Sequence, residues 1–221
     1  MTDLLYRWPS AAHFGKRVPK EKLYGYGTIN AALRDKFASE VERVIWMYVL
    51  SPATVNLPGT DEVPDIAVVQ VNAKDMDVSQ QVLRAIDKSV PRPLIFEVCR
   101  DSAAGREIRM VAAHKQLGAG APKLSQYFTT SWQSADTERQ PLPTAITLPS
   151  LYTALLEPLM NVSVRAGEGI EVVAARLKAV GKLEREIKAL ESKLHAEKQF
   201  NRKVELRRTL KTKQHELEQQ R

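Results

Sequence analysis

Two carboxylates stand where chemistry could be done: Asp65 at the head of one apolar run and Glu97 inside a later one. Restriction-type nuclease cores place an Asp on one strand and a Glu-x-Lys on the next, so that acids and lysine share a metal-bound water. Here the lysine position holds Cys99, and Arg109 is the expected neighbour of Glu97. A cross-strand Glu–Arg pair contributes about 0.2–1 kcal/mol and needs no catalytic purpose. Asp65 and Glu97 are therefore only weak catalytic candidates. No glycine-rich run ends in Gly-Lys-Ser/Thr, so the phosphate-cradling loop of nucleotide hydrolases is missing. His13, His114, His195 and His215 lie far apart and show no metal-ligand spacing, and Cys99 has no local catalytic signature. The expectation is no metal, no cofactor and, on balance, no enzyme.

The second chemical feature is a cluster of cations near the C-terminus. Lys198, Arg202, Lys203, Arg207, Arg208, Lys211 and Lys213 are opposed only by Glu205, a net charge of +6 over sixteen residues. On a helix, Lys203, Arg207 and Lys211 fall on one face at i, i+4 spacing. Such a row can follow phosphates, giving strongly salt-dependent binding without base specificity. The alternative is that these side chains pair with Glu184, Glu186 and Glu191 upstream. Lys198, Arg202, Lys203, Arg207, Arg208 and Lys211 are the expected nucleic-acid or partner-binding residues.

The element that carries them runs from about Glu168 to Arg221, without proline and without glycine after Gly181. Val173, Leu177, Val180, Leu183, Ile187, Leu190 and Leu194 form a nearly heptad seam. Beyond Leu194 the phase shifts, and Leu206, Leu210 and Leu217 form a later stripe. Either one helix of about 80 Å results, or the chain bends near Gln199-Phe-Asn201 into an antiparallel hairpin. The segment holds 14 Lys/Arg and 9 Asp/Glu, whereas the other 167 residues hold 19 and 17. The chain thus reads as a nearly neutral domain, 1–160, followed by a basic coiled-coil-like segment, 168–221.

Composition bounds the rest. The hydrophobic fraction of 43% suffices for a core. No stretch approaches the roughly 20 apolar residues that span a bilayer, and the N-terminus lacks a signal-peptide h-region. The single cysteine excludes an intramolecular disulfide. A cytoplasmic protein without membrane contact is expected.

Residues 1–27 read as irregular, with a basic cluster at Lys16, Arg17, Lys20 and Lys22. Thr28 or Asn30 could cap a helix to about Glu42. Val44–Leu50 and Ile66–Val71 read as strands, Ser79–Ser89 as a helix, and Leu94–Cys99 as a strand. A hairpin to Glu107–Ala113 is expected, with Arg100 opposite Arg106, Phe96 facing Met110, Val98 facing Ile108 and Glu97 facing Arg109. Gln126–Trp132 reads as a further strand, residues 133–147 as a linker or surface loop, and Pro149 or Ser150 opens a helix. The order predicts an α+β fold, a mostly antiparallel sheet flanked by helices, with a long charged C-terminal helix or helical hairpin. Trp46, Tyr48, Tyr127, Phe128 and Trp132 could stack bases, but their apolar strands favour core packing.

The strings Ile45-Trp-Met-Tyr-Val-Leu-Ser-Pro-Ala-Thr-Val-Asn56, Leu83-Arg-Ala-Ile-Asp-Lys-Ser-Val-Pro91, Leu94-Ile-Phe96 and Lys198-Gln-Phe-Asn-Arg-Lys-Val-Glu-Leu206 resemble the prokaryotic domain-of-unknown-function family numbered four-three-nine-one. The resemblance covers nearly the whole chain. It implies a companion of a helicase or DNA methyltransferase in restriction or phage-defence clusters, and it brings no catalytic residues. The expectation is a non-enzymatic accessory protein that binds such a partner and touches DNA through its basic tail. A nuclease-like enzyme using Asp65 and Glu97, or a structural homodimer built by the tail, are the alternatives.

Overall fold

The computed structural model describes residues 4–24, 29–117, 122–160, 170–197 and 199–220. The chain divides into two compact units, residues 1–161 and 162–221.

The first unit is built on a seven-stranded sheet: β1 (His13–Val18), β2 (Val41–Leu50), β3 (Ile66–Ala73), β4 (Leu94–Ser102), β5 (Gly105–Gln116), β6 (Lys123–Thr129) and β7 (Gln133–Ser134). Six strands lie in sequence order and β7 pairs with β5. All neighbours are antiparallel except β3 and β4. That parallel pair needs a crossover, supplied here by a helix. The helices of this unit are α1 (Lys20–Tyr24), α2 (Ala31–Glu40), α3 (Pro52–Val55), α4 (Gln80–Ser89) and α5 (Leu148–Leu156).

Local chemistry sets these elements. The Asn30 side chain caps α2 by accepting from the Leu33 amide at 2.9 Å. Ser51 with Thr54, and Thr147 with Ser150, form capping boxes at α3 and α5, each with proline in the first turn. α4 turns Val82, Leu83 and Ile86 into a core shared with Phe37 of α2 and with Val44, Val69, Val71, Phe96, Val98 and Val111 of the strands. Period-2 alternation sends Ile95, Glu97, Cys99, Met110 and Ala112 to the opposite face, and these are buried too. The Tyr152 hydroxyl of α5 donates to the Ala113 carbonyl at 2.8 Å.

The β4–β5 hairpin differs from the expected register by one residue. Glu97 pairs with Met110, Val98 with Arg109 and Arg100 with Glu107, and the loop shortens to the two residues between Ser102 and Gly105. The expected register assumed that one face carries the charges. Both faces of β4 are covered, so alternation alone does not fix which set turns which way. Gly105 has φ of 108°, and a Cβ there would meet nothing within 4 Å. Gly105→Ala should therefore lose about 1–2 kcal/mol through backbone strain alone. A lower urea midpoint with unchanged slope would show it.

Two further segments depart from the sequence reading. Residues 13–18, expected as loop, form edge strand β1, whose side chains are almost all exposed. Residues 133–147 carry β7 and a bridge from Gln140 to Tyr6.

A charged pair is buried beside α4. The Lys115 ammonium forms an ion pair with Asp87 Oδ1. It also donates to the carbonyls of Asp87, Val90 and Arg92 at 2.6, 2.9 and 2.7 Å. Tyr127 donates its hydroxyl to Asp87 Oδ2 at 2.8 Å. Lys115 thus closes the C-terminal end of α4, where backbone carbonyls lack helical partners. Burial lowers the Lys115 pKa and raises that of Asp87, and in each case the partner's charge opposes the shift.

The second unit is the hairpin alternative, not one continuous helix. It consists of α6 (Ile170–Ala196) and α7 (Phe200–Gln220). Arg176 Nη1 donates to the Gln220 carbonyl at 2.9 Å and Lys213 lies 3.3 Å from Glu186, so the helices run antiparallel. Glu197 builds the bend: its carboxylate accepts from the Gln199 amide at 2.9 Å. On α6, Val180 and Ile187 are buried and Leu183, Leu190 and Leu194 half-buried, as the seam predicts.

Candidate nucleic-acid interface

On α7 the half-buried residues are Lys203, Leu206, Leu210, Lys213, Glu216, Leu217 and Gln220. Leaving out Glu216, they step by three and four, which defines a seam toward α6. At about 100° per residue, Arg208 falls nearly opposite that seam. Arg207 and Lys211 fall on one flank, below Lys203, and Arg202 on the other. Arg202, Arg207, Arg208 and Lys211 are exposed. Lys203, Arg207 and Lys211 recur every four residues, roughly 6 Å apart along the helix. Lys198, the first residue of the expected set, lies outside the described residues.

Across the described residues, Arg202, Lys203, Arg207, Arg208 and Lys211 form no ion pair, and Glu205 is the only acid between Arg202 and Lys211. The expected neutralisation by α6 is confined to Lys213, which sits on the seam against Glu186 and Glu216. Glu186 is also met by Lys182. The helix therefore divides its cations: Lys213 is held by carboxylates on the seam, Lys203 stands half-buried at the seam without an acid among the described residues, and Arg202, Arg207, Arg208 and Lys211 line the flanks and outer side.

The two acids considered for catalysis are kept apart. Asp65 precedes β3, where both its oxygens accept from Arg92 Nη1 at 2.9 and 2.8 Å. Glu97 pairs in register with Gln70, five residues further along β3. That places the two acids about 16 Å apart along the sheet. Glu97 is 3% exposed. Its Oε1 accepts from Trp8 Nε1 at 2.7 Å and from Arg139 Nη1 at 2.6 Å. Arg139 also donates to the Tyr6 carbonyl at 2.8 Å. Glu97 thus anchors the N-terminal segment and the 133–147 stretch to the sheet. Its arginine is Arg139, not Arg109, which turns to the other face and pairs with Asp77 at 2.6 Å. Glu97→Ala should cost about 2 kcal/mol, because it strands a buried indole N–H and a guanidinium. A thermal melt would register this loss. Cys99, next on that face, is buried, and burial pushes its thiol up to about 11, unlike a reactive thiolate.

The five aromatics considered as a stacking platform are split between the faces. Trp46, Tyr127 and Trp132 pack against the α2–α4 core. Tyr48 meets Trp8 at 6.1 Å, and Phe128 is buried. Trp132 carries Arg100 at 4.1 Å and Arg109 at 4.9 Å over its ring. Among the described residues the exposed aromatic is Phe14 of β1, which is not among the five expected. Its signal was there: Phe14 sits beside the basic cluster at Lys16 and Arg17.

Among the described residues, no group of three His, Cys, Asp or Glu could hold a metal ion, and no helix is long and apolar enough to cross a membrane. No curated protein and no solved structure matches the chain. A family model described as a domain of unknown function, DUF4391, matches residues 7–217, which include the sheet and nearly all of the α6–α7 hairpin, and the chain belongs to that family.

Proposed function

We propose that the protein is a non-enzymatic accessory protein that grips nucleic acid by its phosphates through the outer side of α7. In this reading it serves a DNA-modification or anti-phage defence system beside a larger helicase or methyltransferase. The observation that carries the nucleic-acid part is the set of five cations, Arg202 to Lys211, without ion pairs among the described residues. Surface cations on a stabilising helix are usually interleaved with acids, and here one acid stands among five cations. The heptad resemblance supports a structural dimer less well, because α6 and α7 pair their seams within one chain. The nuclease alternative is disfavoured by the separation of Asp65 and Glu97 and by the arginine on each. The membership of the chain in a family resembling defence-cluster companions supports the partner half of the reading. Duplex binding measured at two salt concentrations tests the first half: affinity that does not change with salt would reject it.

A further inference from the structure

We infer that the exposed face of edge strand β1 is a second binding site, for single-stranded nucleic acid, with Phe14 as the stacking surface and Lys16 and Arg17 as phosphate contacts. The inference goes beyond the hairpin reading and does not depend on it. β1 is the edge of the sheet, and among the described residues its outer side has no neighbouring strand. Phe14 keeps 43% of its surface exposed. It is held edge-on against Trp46 at 5.9 Å, and Lys16 lies 4.7 Å from its ring centre. Arg92 lies over the Trp46 ring at 5.4 Å. Two rings and two cations thus meet in one cluster, in which Phe14 is the ring that solvent reaches most.

The charge around this cluster matches phosphate. Residues 13–22 hold four cations and one acid. Lys20 is engaged by the carbonyls of Phe37 and Val41 at the end of α2. Among the described residues Arg17, Lys22 and Lys16 have no ion pair, and the Lys16 ammonium lies over the Phe14 ring. Strand addition by a peptide fits less well. Gly15 sits at φ of 64° in an irregularity between His13 and Lys16, and Pro19 follows the strand. Bulges, charges and proline are the devices that keep an edge from pairing. None of them requires an exposed phenyl ring. An aromatic flanked by cations is the arrangement that binds single strands without sequence preference.

The test uses the full chain and fluorescence anisotropy with a labelled oligothymidylate of about 20 nucleotides and a blunt duplex of equal length. Phe14→Ala should weaken oligothymidylate binding about tenfold and leave the salt dependence unchanged. Phe14→Leu should fall with it, and Phe14→Trp should bind as wild type. Lys16→Ala with Arg17→Ala should reduce the slope of log affinity against log salt by about 1.4. None of these should change duplex binding or the melting temperature. Unaltered oligothymidylate binding in Phe14→Ala, or retention in Phe14→Leu, overturns the site, as does a wild-type chain that does not bind the oligonucleotide. Failure of duplex binding alone would reject the hairpin reading and leave this site standing.

Discussion

Lys115→Met should be among the most destabilising single substitutions in the first unit, costing about 3–5 kcal/mol and lowering the melting temperature by roughly 10 °C. The cost has two sources. Asp87 would remain buried and charged with only Tyr127 donating to it. The carbonyls of Asp87, Val90 and Arg92 would lose the ammonium that donates to all three. The double variant Asp87→Leu with Lys115→Met separates these sources. Removing both charges cancels the first, since a buried ion pair replaced by apolar groups is often neutral. The Arg92 carbonyl and the Tyr127 hydroxyl lose their partners, at about 1–3 kcal/mol for each group left buried, while the Asp87 and Val90 carbonyls keep the amides of Val90 and Arg92. The double variant should therefore melt between wild type and Lys115→Met. The pH dependence has a definite sign. Burial already raises the Asp87 pKa, and the loss of Lys115 removes the charge that opposes the rise. A carboxyl with a raised folded pKa binds more protons folded than unfolded, so stability grows as pH falls through that range. Relative to wild type, Lys115→Met should regain stability as pH falls from neutrality toward the ordinary carboxylate range. Equal melting of Lys115→Met and wild type would refute this role.

The parts of this fold that could be read from the sequence are those where burial writes itself into residue types. β2, β3, β4, α4 and α5 combine apolar runs with capping residues, and each was expected within a few residues. β1 was not, because its residues are polar, basic or exposed, and it joins the sheet through backbone bonds to β2 alone. The hairpin register slipped for the opposite reason. β4 is apolar on both faces, so Glu97 looked like an outward residue when it lies inside. Its hydrogen-bond and ion-pair partners, Trp8 and Arg139, lie 89 and 42 residues away in the chain. No local pattern announces such partners.

The second unit shows the same limit in another form. The α6 seam was legible because its positions are Val, Leu and Ile. On α7 the corresponding seam holds Lys203 and Lys213 along with Leu206, Leu210 and Leu217, so the apolar signal skips positions and looks like a phase shift. A lysine can occupy such a position by laying its stem along the seam and holding its ammonium at the rim. Lys213 ends on Glu186 and Glu216 in this way. The basic cluster was visible from composition, but its division into Lys213 with carboxylate partners and the cations from Arg202 to Lys211 without them required the hairpin.

That division sets the remaining large effect. Replacing Arg202, Lys203, Arg207 and Arg208 together by alanine should remove the salt-sensitive part of duplex binding. If each contacts one phosphate, the slope of log affinity against log salt should shrink by about 3.6. Over a fourfold rise in salt, from 50 to 200 mM, contacts of that number account for roughly a hundredfold loss of affinity in the wild-type chain. The quadruple variant should be weaker at low salt and nearly flat across the range. Alanine favours helix at these positions, so the fold of α7 should not suffer, and unchanged circular dichroism would confirm that. Lys213→Ala is the internal control. Its ammonium is committed to Glu186 and Glu216, so it should leave the salt slope alone. A slope that falls as much in Lys213→Ala as in the quadruple variant would mean that overall charge, not the outer row of α7, attracts the duplex. A quadruple variant with the wild-type slope would remove α7 from the interface altogether.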